Sequence, residues 1–115
     1  MRDAPRRSRV RRYNVSFRPQ AEADLFDLYR HIAAEAGYDV AGAYVDRIEA
    51  ACLALEVFPR RETRRDDIRP GLRTLGFERR ATIVFHIARL DVVIVRIFFG
   101  GQDYERHLRW TADDP

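Results

Sequence analysis

The chain has 115 residues and a mass of 13.5 kDa, which allows one domain with a two-layer core. Its 46% hydrophobic and 34% charged residues exclude a disordered composition. No apolar run reaches the roughly 18–20 residues of a membrane span, and a single cysteine, Cys52, excludes a disulfide framework. All 21 basic residues are Arg, six of them before Tyr13; residues 13–115 carry 15 Arg against 17 acids, so the folded body is −2. A body that wrapped duplex nucleic acid would be basic throughout, which leaves room only for a local basic patch.

Residues 1–12 read as a basic, flexible tail. It is a spare extension, a weak attractor of nucleic acid, or a segment ordered by a partner. The tail has no apolar core region and is no secretory signal, so the expected compartment is the reducing cytoplasm. Residues 13–115 are expected to form one domain with a short C-terminal extension. Tyr13 to Phe17 alternates apolar and polar, the period of a half-buried strand. Gln20 to Ala36 is a predicted helix, with Pro19 suited to its first turn and Ala21, Leu25, Leu28, Tyr29 and Ile32 on one apolar face. Gly37 stops it. After a joint of two or three residues, Asp39 is expected to cap a second helix over about Val40 to Val57. Its apolar face is Ala41, Tyr44, Val45, Ile48, Cys52 and Leu55. Residues 18–56 hold three Arg and eight acids, so this helical hairpin is −5. Arg60 to Pro70 is a charged loop, and from Arg60 to Arg80 eight Arg oppose four acids, +4.

Three strands follow: Leu72 to Phe77, Ala81 to Ala88 and Val92 to Phe99, with Arg89-Leu90-Asp91 as a hairpin connection. The predicted fold is therefore α+β and two-layered: an N-terminal strand, an antiparallel helical hairpin, then a three-stranded antiparallel meander packed on the helices. Strict alternation gives Val93, Val95, Ile97 and Phe99 to the helix-facing side. It leaves Arg96, and His86 on the preceding strand, on the outer side. Gln102 to Trp110 is a short helix or an extended arm.

The chemistry is sparse. His31, His86 and His107 fall on three elements without metal-ligand spacing, and no cofactor is expected. Cys52 lies mid-helix on the apolar face and reads as core. Metal-free RNA cleavage needs a base, an acid and a cation at the phosphate; Arg73, His86, Arg96 and Tyr104 are the residues that could supply them.

Tyr13 to about Leu108 resembles the ParE branch of the RelE/ParE toxin superfamily, the toxins of type II toxin–antitoxin modules. The likeness rests on Tyr13-Asn14-Val15-Ser16-Phe17 before Ala21 and Asp24-Leu25, then Ala43-Tyr44 and Ile48. Phe58-Pro59, Ile68-Arg69-Pro70-Gly71-Leu72-Arg73 and the run from Val95 to Glu105 complete it. The resemblance implies a non-catalytic inhibitor of DNA gyrase, acting on the enzyme alone or with its DNA and neutralised by a cognate antitoxin in a hetero-oligomer. The alternative is a ribosome-dependent mRNA interferase, a metal-independent endoribonuclease. The ribonuclease branch carries a basic residue where Thr82 stands here and another after the last strand, where this chain reads Gly101-Gln102-Asp103. Both departures favour the gyrase branch.

The expected target-binding set lies on the non-helical sheet face and the C-terminal extension: Arg73, Arg79, Arg80, His86, Arg96, Gln102, Tyr104 and Arg109. The resemblance puts the antitoxin on the helical layer, with Leu25, Tyr29, Tyr44 and Ile48 as its expected contacts. An antitoxin segment suited to a −5 hairpin would carry positive charge.

Overall fold

A computed structural model describes residues 12–100 and Leu108. The elements are β1 (Asn14–Phe17), α1 (Pro19–Ala36), α2 (Tyr38–Leu53), β2 (Thr63–Arg64), β3 (Leu72–Phe77), β4 (Ala81–Ala88) and β5 (Asp91–Phe99), with single 3-10 turns at Ala54–Glu56 and Pro59–Arg61. They form one five-stranded sheet in the order β1-β5-β4-β3-β2, with the two helices across one face. The α+β order expected from the sequence holds.

β1 lies parallel to β5, from Asn14 beside Asp91 to Phe17 beside Ile94. A parallel pair needs a long crossover, and the helical hairpin begins that crossover. The helical periodicity places the core. Ala21, Leu25, Leu28 and Ile32 from α1 meet Ala41, Tyr44, Ile48 and Cys52 from α2 over Ile83 and Phe85 of β4. Burial, then the nearby Glu49, pushes the Cys52 thiol up to about 12, which fits a core residue and not a nucleophile.

Several boundaries differ from expectation, each for a local reason. The helices are joined by Gly37 alone, at φ 98, whose N–H donates to the Ala33 carbonyl and whose carbonyl accepts from Ala41. That positive φ suits glycine, so the joint needs no further residues and Asp39 falls inside the first turn of α2. The second helix ends at Leu53 because Val57 is extended and bridges to Arg12. Arg12 also reaches Glu56 at 3.1 Å, so the ordered body includes this residue. β2 is a polar two-residue strand inside the charged loop, without apolar alternation to reveal it. β5 starts at Asp91, which pairs with Ala88, and this leaves the two-residue turn Arg89-Leu90 with Arg89 at φ 59.

The largest correction concerns the faces of β5. Val84 pairs with Arg96 but Phe85 pairs with Ile94, so Val95 is the extra residue of a bulge. The bulge resets the alternation. Val92 and Ile94 before it, and Ile97 and Phe99 after it, all face the helix-side core. The helix-facing set expected from strict alternation holds only beyond the bulge. On the other face Val95 joins a second cluster of Ile68, Leu72, Val84, Phe98 and Leu108. The outer face is thus partly a core of its own, and Leu108 returns from the C-terminal segment to cover it.

Candidate functional site

The arginines expected on the outer face divide sharply. Arg73 has the strand parity of Leu75 and Phe77, which pack on the helix side, and it is only 8% exposed. Its guanidinium donates to the Arg60 and Glu62 carbonyls, both at 3.0 Å, and so clamps the turn before β2. Burial is the first cause of its lowered pKa, followed by the neighbouring Arg64 and Arg60. Arg96 donates from Nε and Nη2 to the two Asp24 oxygens at 2.8 and 3.0 Å, and it lies over the Phe98 ring. The same carboxylate accepts the Ile97 N–H at 2.8 Å. β1 ends opposite Ile94, so Asp24 satisfies a strand edge that β1 no longer covers. Neither Arg73 nor Arg96 presents an unengaged guanidinium.

Arg80 also lies away from the outer face. It lines a cavity of about 500 Å³ together with Asp39, Val40, Tyr44, Arg47 and Glu78 on the helical side. Arg79 sits at the exposed tip between β3 and β4, where Glu78 and Arg79 have φ of 49 and 59. Arg47 of α2 holds that turn by donating to both Glu78 oxygens, at 2.9 and 3.1 Å. Gln102, Tyr104 and Arg109 lie outside the described residues.

His86 remains on the outer face, half-buried on β4 between Leu72 of β3 and Val93 of β5. It lines a groove of about 310 Å³ with Arg18, Arg69, Pro70, Gly71, Leu72, Ile87 and Val95. Among the described residues, no acid lines this groove. Among the described residues, neither the Arg18 nor the Arg69 side chain makes a hydrogen bond or ion pair. Burial first, then Arg18 and Arg69, hold the His86 pKa below its ordinary value. Each of these effects favours the neutral imidazole.

Rigid backbone places both arginines. Arg18 donates its N–H to the Ile94 carbonyl at 2.9 Å, and its own carbonyl accepts the Ala21 and Glu22 N–H groups that open α1. Arg69 sits in a turn closed by Leu72 N–H to Arg69 carbonyl at 3.1 Å and Arg65 N–H to Leu72 carbonyl at 2.7 Å. Gly71, at φ 82, donates to Asp66 at 2.8 Å. That hydrogen bond, with the Arg64 contact second, holds the Asp66 carboxyl below its usual range.

Sequence reasoning placed His86 here but missed Arg18 and Arg69. Arg69 was within reach. A hairpin over residues 72–88 sets Leu72 against His86, so the turn just before Leu72 must lie beside the imidazole. Arg18 was not, because its place depends on the parallel pairing of β1 with β5.

The helical layer also differs from expectation. Leu25, Tyr44 and Ile48 are core residues, with Ile48 fully buried, and Tyr29 is half-buried. They form the support of that layer and offer little to a partner. Its exposed apolar groups are Phe26, Tyr38, Val40 and Leu53, of which Tyr38 is 73% exposed. Among the described residues no helix is long and apolar enough to cross a membrane.

Comparison with known proteins gives one consistent result. Residues 15–104 match the family model described as the ParE toxin of type II toxin–antitoxin system, parDE. The chain is 38% identical over 85 residues to toxin ParE3 of Caulobacter vibrioides, covering 74% of this chain and 84% of that protein. It is also similar to a solved chain of the chromosomal ParDE TA system from P. aeruginosa. That likeness has a TM-score of 0.70 and 25% identity, and covers 78% of this chain and 98% of that one. With the strand–hairpin–sheet order and these matches together, the chain belongs to the ParE toxin family of type II toxin–antitoxin systems.

Proposed function

We propose that this toxin inhibits DNA gyrase by binding through the outer sheet face, and that a cognate antitoxin neutralises it by covering the helical layer. One observation carries the reading: among the described residues, the groove at His86 has two unengaged guanidinia and no acidic residue. Such a surface grips an anionic target. Catalysis would need a second proton-transfer group beside His86, and none of the described groove residues supplies one. Two of the four side chains expected to support RNA cleavage, Arg73 and Arg96, are engaged elsewhere. Arg79 extends the target surface at its tip. The antitoxin, suggested by the ParDE relatives, would meet Phe26, Tyr38, Val40 and Leu53 amid the acids of α1 and α2 with an apolar, basic segment.

The test is a supercoiling assay with purified gyrase and no ribosomes. The parent chain should inhibit it, and the double variant Arg18→Glu/Arg69→Glu should need at least about tenfold more protein. Cleavage of message in the presence of ribosomes, without an effect on gyrase, would replace this reading with the mRNA interferase.

A further inference from the structure

We propose that the Arg18–Arg69–His86 groove seats a phosphodiester group of a DNA strand, so that the toxin contacts nucleic acid directly. The inference deepens the gyrase reading, which supplies the DNA in the cell.

Three observations lead to it. First, the groove concentrates positive charge in a body whose net charge is −2. Several other described arginines are instead paired with acids. Arg64 pairs with Asp66 at 2.8 Å, Arg65 with Asp67 at 2.8 Å, Arg47 with Glu78 and Arg96 with Asp24. Arg18 and Arg69 have no such acid among the described residues. Keeping two cations close together without a counter-ion is unfavourable unless a ligand supplies one.

Second, the donors converge from different elements. Arg18 comes from the start of α1, Arg69 from the turn before β3, and His86 from mid-strand on β4. A carboxylate is planar and offers one bidentate edge, which a single guanidinium fork fills. A phosphodiester is tetrahedral and accepts donors from several directions at once, so it matches three donors arriving from three elements.

Third, the remaining walls are apolar: Pro70, Leu72, Ile87 and Val95. They suit the sugar that flanks a backbone phosphate. With these three donors committed to the phosphate, no further polar side chain lines the groove among the described residues, so the contact would fix position without reading sequence.

The seat also carries a pH dependence with a definite sign. Among the described residues, the charged groups facing His86 are Arg18, just before α1, and Arg69 from the turn, while β3 and β5 contribute only Leu72, Val93 and Val95. Both charged neighbours disfavour imidazolium. A bound phosphodiester favours it and does not itself titrate near neutrality. Affinity should therefore rise as the pH falls into the histidine range.

The experiment measures binding of the full chain, freed of antitoxin, to a short single-stranded oligothymidylate over a range of salt. The basic tail contributes equally to parent and variants, so the difference between them reports the groove. Arg18→Gln/Arg69→Gln should lower affinity about tenfold at low salt. Loss of one held phosphate should reduce the slope of log K against log salt by about 0.7. Arg30→Gln, exposed on the helical layer, should leave the slope unchanged, and His86→Gln should abolish the rise in affinity at acid pH. Unchanged melting temperatures show that the variants fold.

Equal slopes for parent and double variant would overturn the proposal. So would a double variant that loses gyrase inhibition but keeps its DNA slope, because the groove would then bind an acidic protein surface. A parent that binds DNA through the groove yet leaves gyrase untouched would sustain the seat and remove the gyrase reading.

Discussion

Arg73 and Arg96 lie within a few strands of Arg18 and Arg69, yet the two pairs have opposite fates. The first pair is consumed: one guanidinium holds two backbone carbonyls, the other a carboxylate that also serves a strand edge. The second pair lines a groove with no carboxylate among the described residues. The difference lies in what each side chain can reach. A guanidinium carries five donors on a long stem, and folding satisfies it wherever an acceptor falls within range. It stays available for a partner only where the fold supplies none. Charge counts along a sequence do not separate these cases.

The contrast can be tested from the structural side first. Asp24→Ala leaves the Arg96 guanidinium and the Ile97 N–H unpaired in a largely buried site. It should cost about 3 kcal/mol, a fall in melting temperature of more than about 10 °C in thermal unfolding. A fall of only a few degrees would mean that water replaces the carboxylate. Next, Arg73→Met keeps the stem and removes the donors to Arg60 and Glu62. A loss of about 2 kcal/mol is expected in urea titration, with earlier proteolysis in the turn over residues 59–62. If stability is unchanged, this arginine belongs with the available pair.

Smaller effects sharpen the comparison. Arg79 holds a left-handed backbone at φ 59, so Arg79→Gly should stabilise the chain by about 1 kcal/mol while leaving the groove intact. Arg18→Gln/Arg69→Gln should shift stability by no more than about 0.5 kcal/mol, in contrast to Asp24→Ala. A large loss would show that these two arginines brace the fold.

The smallest expected effect is a pH slope. The folded state holds the His86 pKa below its ordinary value. Above the unfolded pKa of about 6.5 both states are neutral there and nothing is gained or lost. As the pH falls below it, the unfolded chain takes up a proton first, and stability declines. His86→Gln should flatten this acid-side slope, and the Arg18/Arg69 double variant should shallow it, because it removes two of its three causes. An unchanged slope in His86→Gln would assign it to another group.

Much of the fold was legible because it rests on periodicity. Ala21, Leu25, Leu28 and Ile32, and Ala41, Tyr44, Ile48 and Cys52, fall at helical spacing and are buried as that spacing requires. The three long strands sit close to where β-branched runs and turn residues put them. β2 escaped notice because two polar residues carry no period. The faces of β5 were misread because a bulge adds one residue, and a period of two cannot survive an insertion of one. Three of the four residues expected to face the antitoxin, Leu25, Tyr44 and Ile48, lie in the core for a simpler reason. The apolar stripe of an amphipathic helix is the side that the chain's own sheet covers, so Leu25 and Ile48 were spent on folding.

The sequence by itself determined the element order, the acidic helical layer, the core stripes and the likeness to ParE toxins, since these follow from local spacing and charge. Tertiary structure alone decided which arginines remain available. Arg18 meets His86 because β1 docks parallel to β5. Arg96 meets Asp24, distant in the chain, because the edge of β5 continues past the end of β1. Partner choice for a long charged side chain is set by distances across the fold, and no local pattern encodes them.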